Sequence, residues 1–282
     1  MTGSPSYVLK LSCDNRPGIV AAVSSCIAQN GGDIIEAAQF DDVQTDTFLM
    51  RIYFSIDNVK EFEFHLKPIV EKFNIRTELV PADQRGRVLI MVSKMDHCLH
   101  DLLYRWRKDS LKMDPVGIVS NHMDAKSLAD FYRLPYHHMP VTKQNKAEQE
   151  EKLLELITKE SVDLVVLARY MQVLSDDLSN RLYGKVINIH HSFLPSFKGA
   201  KPYHRAHERG VKLTGATAHY VTPDLDESPI IEQEVARVKH SDTPDDLVRI
   251  GRDTESRVLA RAVRWHLDHR VFLNGSKTVV FN

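Results

Sequence analysis

Two polar residues, Asn188 and His190, stand at the end of an apolar segment where they could together catalyse acyl transfer. Residues 186–189 have the composition of a buried strand. Because residues two apart on a strand point to the same side, Asn188 and His190 are predicted to project together. Phe, Pro and Gly residues interrupt regular structure over residues 193–199. This is typical of the carboxyl end of a strand in an open α/β sheet, where ligands usually bind.

An amide, an imidazole and a carboxylate in one crevice suit attack on an acyl carbon. The amide N–H of Asn188 can donate to an oxyanion, and the imidazole of His190 can move a proton. A carboxylate can orient the imidazole or activate water. Asp226 is the candidate carboxylate. Taken alone, Asp226 and Asp224 are both explained by the preference of aspartate for turns.

The chain has 14 histidines, and several lie close to this segment, which raises the alternative of a metal site. They are His190, His191, His204, His207 and His219. None forms a His-x-x-x-His pair on a convincing helix beside a carboxylate ligand. Neighbours on a strand also point to opposite faces, so His190 and His191 are not expected to share an ion. We therefore predict no metal and no other cofactor.

The composition is ordinary for a soluble globular protein. Its 282 residues favour two domains. A formal net charge of -1 gives no basic excess for a nucleic-acid partner. We see neither a signal peptide nor an apolar run long enough for a membrane span. The three cysteines, Cys13, Cys26 and Cys98, are scattered, which disfavours disulfides and zinc and predicts a cytoplasmic location.

The first domain is predicted over residues 1–82 with the order βαββαβ, a ferredoxin-like arrangement. Apolar residues alternate over residues 48–56 as on a half-buried strand. Pro17 opens the first helix, and Gly31-Gly32 ends it. Pro68 predicts a kink or break in the second helix. Residues 83–86 are predicted to be a linker.

The second domain is predicted over residues 87–282, as a doubly wound and mostly parallel sheet. Strands alternate with helices after residue 87, and the segment 163–168 is apolar throughout, as in a strand buried on both faces. Thr243-Pro244 begins a helix that is expected to reach about His269. The loop 93–97, between the first strand and helix of this domain, contains no Gly. It therefore argues against a phosphate-binding loop there.

Residues 186–234 resemble the folate-dependent formyl-group enzymes. The motif that carries the resemblance is Asn-x-His followed by Ser-x-Leu-Pro-x-Phe-x-Gly, here Asn188, His190, Ser192, Leu194, Pro195, Phe197 and Gly199. The resemblance implies that Asn188, His190 and Asp226 are the catalytic residues. The chain departs from the family at Ser228, where a Gly is usual in the turn after the aspartate.

The segment 167–175 matches the part of this family that contacts folate. The resemblance implies that 10-formyltetrahydrofolate is the substrate rather than a cofactor. The residues implied to bind it are Met171, Gln172, Val173, Leu174 and His219.

The N-terminal domain resembles an ACT domain, a regulatory module that binds small amino acids. The residues that match its ligand loops are Asp14, Asn15, Gly18, Asn30 and Gly31. Without the resemblance, helix caps and turns explain these residues adequately. The resemblance implies an amino-acid effector such as glycine or methionine, and a homo-oligomer in which a tetramer is favoured. An ACT domain joined to this catalytic domain is similar to the hydrolytic members of the family over essentially the whole chain.

The expected reaction is hydrolysis of 10-formyltetrahydrofolate to tetrahydrofolate and formate. It would supply formate for purine synthesis and balance the one-carbon folate pools. Water is the expected acceptor because loop 93–97 carries bulky side chains where the nucleotide-formylating relatives hold a phosphate. Two alternatives remain open: transfer of the formyl group to an unidentified amine, and a non-catalytic sensor of amino acids or folate.

Overall fold

The computed structural model describes residues 4–191, 202–224 and 228–282. The chain forms two compact units. Unit 1 comprises Met1–Gln84, Asp268–Asn274 and Val279–Asn282, and unit 2 comprises Arg85–Leu267 and Gly275–Thr278. Residues 87–282 were predicted to form the second domain. In the structure, most of the last fifteen residues instead belong to unit 1.

Unit 1 contains four strands and two helices in the predicted order βαββαβ. They are β1 (Ser6–Asp14), α1 (Ile19–Gln29), β2 (Asp33–Asp42), β3 (Thr47–Ser55), α2 (Val59–Phe73) and β4 (Arg76–Pro81). The sheet has the order β2-β3-β1-β4, and every neighbouring pair is antiparallel. The apolar sides of α1 and α2 pack on one face of this sheet.

The two faces of β3 show where sequence periodicity succeeds and where it fails. Its predicted inward side chains, such as Ile52 and Phe54, are completely buried. Arg51 on the opposite face is also buried, at 4 % exposure. It donates to the carbonyl oxygen of Asp268 and pairs with Glu36 at 3.2 Å, so the C-terminal part of unit 1 covers this face.

Helix α2 continues through Pro68 without a break. At its start, the side chain of Asn58 accepts a hydrogen bond from the backbone N–H of Glu61, which satisfies one of the unpaired donors of the first turn. The helix stays in place because Phe62, Leu66 and Phe73 are buried in the core of unit 1. Packing of this apolar side outweighs the lost backbone hydrogen bond at the proline.

Unit 2 is built on a seven-stranded sheet. Its elements are β5 (Gly86–Val92), α3 (His97–Arg107), β6 (Met113–Ser120), α4 (Lys126–Tyr132), β7 (Tyr136–His138), α5 (Lys146–Lys159), β8 (Leu164–Leu167), α6 (Asp176–Arg181), β9 (Val186–His190), α7 (Pro202–Glu208), β10 (Leu213–Tyr220), β11 (Ile230–Arg237) and α8 (Pro244–Leu267). The strand order is β11-β10-β9-β8-β5-β6-β7. The chain ends in β12 (Val271–Asn274) and β13 (Lys277–Val280), which form a two-stranded sheet.

The predicted mostly parallel sheet is confirmed. Strands β5 to β9 run parallel to one another, and only the pairs β9–β10 and β10–β11 are antiparallel. The sheet grows from β5 to β6 on one side and then returns to β8 on the other. The crevice at such a reversal is where open α/β sheets bind ligands. It lies between the loops that follow β5 and β8.

Helix α8 begins as predicted. The hydroxyl of Thr243 accepts from the backbone N–H of Asp246, while the Asp246 carboxylate accepts from the N–H of Thr243. This reciprocal cap fixes the first turn. The helix ends at Leu267, two residues before the predicted end, and His269 then adopts a positive φ of 54°. Among the described residues, no helix has the length and apolar character needed to cross a membrane.

Candidate active site

Strand β9 places Asn188 and His190 on one side, as predicted, and both line a cavity of about 380 Å³. We call this the β9 cavity. Ile187 and Ile189, which alternate with them along the strand, are buried and hold the strand in place. The predicted substrate contacts Met171, Gln172, Val173, Leu174 and His219 line the same cavity. The structure therefore brings two of the three predicted catalytic residues together with all five predicted substrate contacts.

The amide of Asn188 is held by His219, its partner in the β9–β10 register. Asn188 Nδ2 lies 3.1 Å from His219 Nε2, and His219 Nδ1 lies 3.0 Å from the carbonyl oxygen of Tyr220. A carbonyl oxygen only accepts, so His219 Nδ1 carries the proton and Nε2 accepts from the amide. One N–H of Asn188 is thereby used, and within the described part of the chain the second has no partner and can donate to a ligand in the cavity.

The charge state of His219 supports this arrangement. Burial lowers the pKa of His219 to about 4, against the hydrogen bond to Tyr220, which raises it. The side chain is 3 % exposed. His219 is consequently neutral at physiological pH, and a neutral imidazole keeps the lone pair on Nε2 that orients Asn188.

The ring of His190 stacks on the ring of His191, with centroids 4.9 Å apart and planes inclined by 12°. The expectation that the two side chains point to opposite faces is wrong, because β9 ends at His190 and His191 follows the strand. His191 Nδ1 lies 3.0 Å from Nη1 of Arg169 and accepts from it. Burial, and then the charge of Arg169, lower the pKa of His191 to about 4, so His191 is also neutral.

A buried charged cluster lies beyond His191 and centres on Glu255 of α8. Glu255 is 1 % exposed, and its Oε2 lies 3.3 Å from Arg169 Nε and 2.8 Å from His97 Nε2. Its Oε1 accepts from the hydroxyl of Tyr203 at 2.6 Å. Burial raises the pKa of Glu255, but the hydrogen bond from His97 and the charge of Arg169 outweigh this effect. The pKa of Glu255 is therefore lowered overall, and the carboxylate is ionised.

Tyr203 reaches this cluster because α8 has a glycine opposite it. A Cβ at Gly251 would lie 2.1 Å from the Tyr203 ring. Burial and the neighbouring Glu255 carboxylate raise the pKa of Tyr203, so its hydroxyl stays protonated and donates. The position of Tyr203 therefore depends on the absence of a side chain at Gly251.

His97, Cys98 and Glu255 offer donor atoms that all lie within 4.8 Å of one another, the one such group in the part of the chain that is described. Burial raises the pKa of Cys98, so the thiol is neutral. The charge of Glu255 is already balanced by the Arg169 guanidinium. The contacts of Glu255 are accounted for by a buried ion pair, and the absence of a metal stays a prediction.

The charged cluster forms one wall of a second cavity of about 480 Å³, which we call the α8 cavity. Its polar lining includes Lys94, His97, His122, His204, Arg252 and Glu255. The two cavities share four lining residues, Arg169, Met171, Gln172 and His191. They are therefore neighbouring cavities, and the Arg169–His191 pair lines both.

The loop after β8 is anchored to the loop after β5 through Ser93. Its hydroxyl accepts from the backbone N–H of Met171 at 2.9 Å and donates to Oδ1 of Asn121 at 2.7 Å. The backbone N–H of Ser93 also donates to the carbonyl oxygen of Arg169. Within this anchored loop, Met171 and Val173 remain 59 % and 57 % exposed, whereas Leu174 is buried. The loop thus presents apolar side chains to the cavity.

Asp226, the third predicted catalytic residue, lies outside the described residues, as do Ser192, Leu194, Pro195, Phe197 and Gly199. Ser228, which departs from the family pattern, is described and buried. Its hydroxyl lies 3.1 Å from Oγ1 of Thr222 and donates to the carbonyl oxygen of Asp224. The extra side chain therefore ties the two ends of this turn together.

In unit 1, the predicted effector-site residues make local contacts. Asn15 Nδ2 donates to Asp41 Oδ2, and Asn30 Nδ2 donates to the carbonyl oxygen of Cys26. Gly18 and Gly31 have φ values of 95° and 74°, which glycine adopts readily. Asp14 pairs with Arg16 at 3.8 Å. These contacts give the five residues structural roles, and effector binding stays a prediction.

Arg169 and Glu255 were not predicted from the sequence as site residues. A signal was present for Glu255, which lies in the apolar stripe of α8 together with Val258, Leu259 and Ala262. A single acid at helical spacing within a buried stripe indicates a paired charge. For Arg169 the signal is its position inside the segment matched to folate binding.

Comparison with known proteins gives a consistent result. The model of the formyl transferase family matches residues 86–263. Formyltetrahydrofolate deformylase of Corynebacterium sp. (strain P-1) is 49% identical, with 99% of each chain covered. The protein of that name from Bacillus subtilis (strain 168) is 47% identical over 97% of this chain and 93% of its own.

Solved structures show the same pattern. The formyltetrahydrofolate deformylase from Burkholderia mallei superposes with a TM-score of 0.95 at 51% identity, covering 99% of this chain and 100% of that one. Glycinamide ribonucleotide transformylase 1 from Symbiobacterium toebii has a TM-score of 0.64 at 28% identity. It covers 70% of this chain and is itself covered over 95% of its length.

Proposed function

The chain belongs to the formyl transferase family and, within it, to the formyltetrahydrofolate deformylases, and from this premise we propose that it hydrolyses 10-formyltetrahydrofolate. Water adds to the formyl carbon, and the bond from that carbon to N10 breaks. N10 takes up a proton, and the products are tetrahydrofolate and formate. The proposed chemistry uses three side chains and water, so it needs no metal or other cofactor.

The observation that carries the proposal is the fixed amide of Asn188 in the β9 cavity. His219 occupies one amide N–H, and the other can donate to the oxygen of the formyl group. That oxygen becomes negative when water adds to the carbon. A donor already aimed at this position is typically worth ~3 kcal/mol of transition-state energy, because nothing has to reorganise during the reaction.

His190 is proposed to stabilise the developing charge and to deliver a proton to N10. It lines the same cavity as Asn188 and stacks on His191. Burial and the charge of Arg169 lower the pKa of His191 and keep it neutral. A neutral His191 therefore adds no positive charge beside His190.

Asp226 is proposed to position the water and to help remove its proton. The support for this role is the family motif, since the residue lies outside the described part of the chain. Asp224 is exposed and serves as a nearby comparison, with its backbone carbonyl accepting from Thr222 and Ser228.

The folate ring system is proposed to pack on the loop after β8. Met171 and Val173 present apolar surface at the β9 cavity, and bound substrate would cover it. His219 was predicted to contact substrate directly. Both of its ring nitrogens have partners in the structure, which supports a role in holding Asn188 instead.

We further propose that unit 1 is an ACT domain that binds a small amino acid such as glycine or methionine. Its βαββαβ order and four-stranded antiparallel sheet support this assignment. A homo-oligomer, with a tetramer favoured, and a cytoplasmic role in supplying formate for purine synthesis belong to the same proposal. Effector binding would have to favour one of two states of the enzyme to change turnover.

The test is to incubate the purified protein with 10-formyltetrahydrofolate and no amine, and to measure formate and tetrahydrofolate together. Equal amounts of both are expected from the wild type and from Asp224→Ala, and neither from Asp226→Ala. Tetrahydrofolate that appears only when an amine is supplied, with an N-formyl product and no formate, would contradict the hydrolase assignment.

A further inference from the structure

The side chain of Arg169 stands between the β9 cavity and the α8 cavity and lines both. Its Nη1 donates to His191, which stacks on His190, and its Nε faces Glu255 at 3.3 Å. Among the described residues, this buried Nε has no hydrogen-bond acceptor, so the contact with Glu255 is ionic. One planar cation therefore joins the wall of the first cavity to the wall of the second.

This arrangement is costly for the fold. Arg169 has a φ of 65°, a conformation that is uncommon for residues with a side chain. It is 8 % exposed and Glu255 is 1 % exposed. Desolvation of two buried charges is only partly offset by their attraction, and apolar residues of similar size are often at least as stabilising. Stability alone does not explain why an arginine occupies this position.

The proposed hydrolysis supplies a functional reason for an arginine at position 169, and the inference below rests on that reaction. With folate in the β9 cavity, the attacking nucleophile must approach the formyl carbon from a side that folate does not occupy. The α8 cavity adjoins the β9 cavity at Arg169 and His191. Its volume of about 480 Å³ falls within the range of small-molecule sites, so size alone does not exclude an amine from it.

We propose that Arg169, held in place by Glu255, is the specificity-determining residue that makes water the formyl acceptor instead of an amine. The guanidinium lies where the two cavities adjoin, and on this proposal its bulk admits a molecule of the size of water but not an amine. The lining of the α8 cavity also carries Lys94 and Arg252 beside the balanced Arg169–Glu255 pair, and their positive charge disfavours entry of an ammonium ion.

The same catalytic groups would serve either nucleophile. In transfer, the amine nitrogen bonds to the formyl carbon, the bond from that carbon to N10 breaks, the amine loses a proton and N10 gains one. Hydrolysis differs only in that the oxygen of water forms the new bond. The choice between them is therefore made by access to the formyl carbon.

The experiment measures how the formyl group divides between water and an added amine. The protein is incubated with 10-formyltetrahydrofolate and either hydroxylamine or glycinamide, and the molar ratio of N-formyl product to formate is determined. Arg169→Gly removes the side chain and suits the positive φ. Its ratio is expected to rise at least tenfold over the wild type with both amines.

Arg133→Gly is the matched control, because Arg133 is an exposed arginine with a φ of 58° at the end of α4, outside the lining of both cavities. Its ratio is expected to equal that of the wild type. Glu255→Gln is the second test variant. It keeps the shape of the side chain but removes the charge that holds Arg169, and a smaller rise in the ratio is expected.

An unchanged ratio in Arg169→Gly and Glu255→Gln would overturn the inference. So would an equal rise in Arg133→Gly. Loss of tetrahydrofolate release in both test variants, with folate still bound, would also overturn it, since the pair would then serve the chemistry itself. A wild-type protein that releases no tetrahydrofolate contradicts the proposed function, and this is observed before any variant is compared.

Discussion

The β9 cavity and the α8 cavity share one wall, but different kinds of polar group organise them. In the β9 cavity, neutral groups position one another: His219 accepts from Asn188, and neutral His191 stacks on His190. In the α8 cavity, the ionised Glu255 holds Arg169. Neutral hydrogen bonds orient a catalytic donor at little desolvation cost, whereas a buried ion pair makes its residues depend strongly on each other.

Breaking the Arg169–Glu255 pair should destabilise the fold more than breaking a neutral hydrogen bond of the β9 cavity. Removing Glu255 would leave Arg169 buried without its counter-charge. We expect Glu255→Ala to lower the free energy of unfolding by about 3–5 kcal/mol, measured by urea denaturation. The control is Glu234→Ala, which removes a more exposed carboxylate paired with Arg257 and should cost about 1 kcal/mol or less. Equal losses in the two variants would remove the distinction between the cavities.

The residues of the β9 cavity are expected to catalyse the reaction. Asn188→Ala removes the oxyanion donor while leaving a small residue on the strand, so turnover should fall about a hundredfold or more. The unfolding free energy should change far less than in Glu255→Ala. The exposed Asn180 of α6 provides the control, since Asn180→Ala should keep wild-type turnover. His190→Ala is expected to be at least as severe, and near-normal turnover of the folded variant would refute its catalytic role.

Much of this architecture could be predicted from the sequence, and the failures have definite physical causes. Long periodic segments such as β3 and α8 were recognised because their burial follows the period of the element. The short elements β7, α6 and α7 were missed, since a single turn or a few residues carry little periodicity. Asn188 and His190 were predicted to lie together because residues two apart on one strand share a face. Glu255 and Arg169 come from separate elements, so only the fold brings them together.

Low pH should reduce the stability that neutral His219 contributes in the β9 cavity. The folded state holds the pKa of His219 at about 4, below the ordinary value of 6.5, so the unfolded chain binds more protons between these values. The stability from His219 is therefore complete above pH 6.5 and is lost as the pH falls toward 4. At pH 5 the loss is about 2 kcal/mol. Urea denaturation at pH 7 and pH 5 should show a smaller decrease in His219→Gln than in the wild type.

The smallest expected change in activity distinguishes two roles of His219 in the β9 cavity. If His219 positions Asn188, His219→Ala should lower kcat about tenfold, or ~1.4 kcal/mol, with KM nearly unchanged. His219→Gln should recover part of kcat, because its side-chain carbonyl can accept from the Asn188 amide as Nε2 does. A direct contact with folate would instead raise KM and leave kcat in place. Steady-state kinetics of the two variants therefore separates orientation of the donor from binding of the substrate, and a pure KM effect would return His219 to the substrate contacts that the sequence indicated.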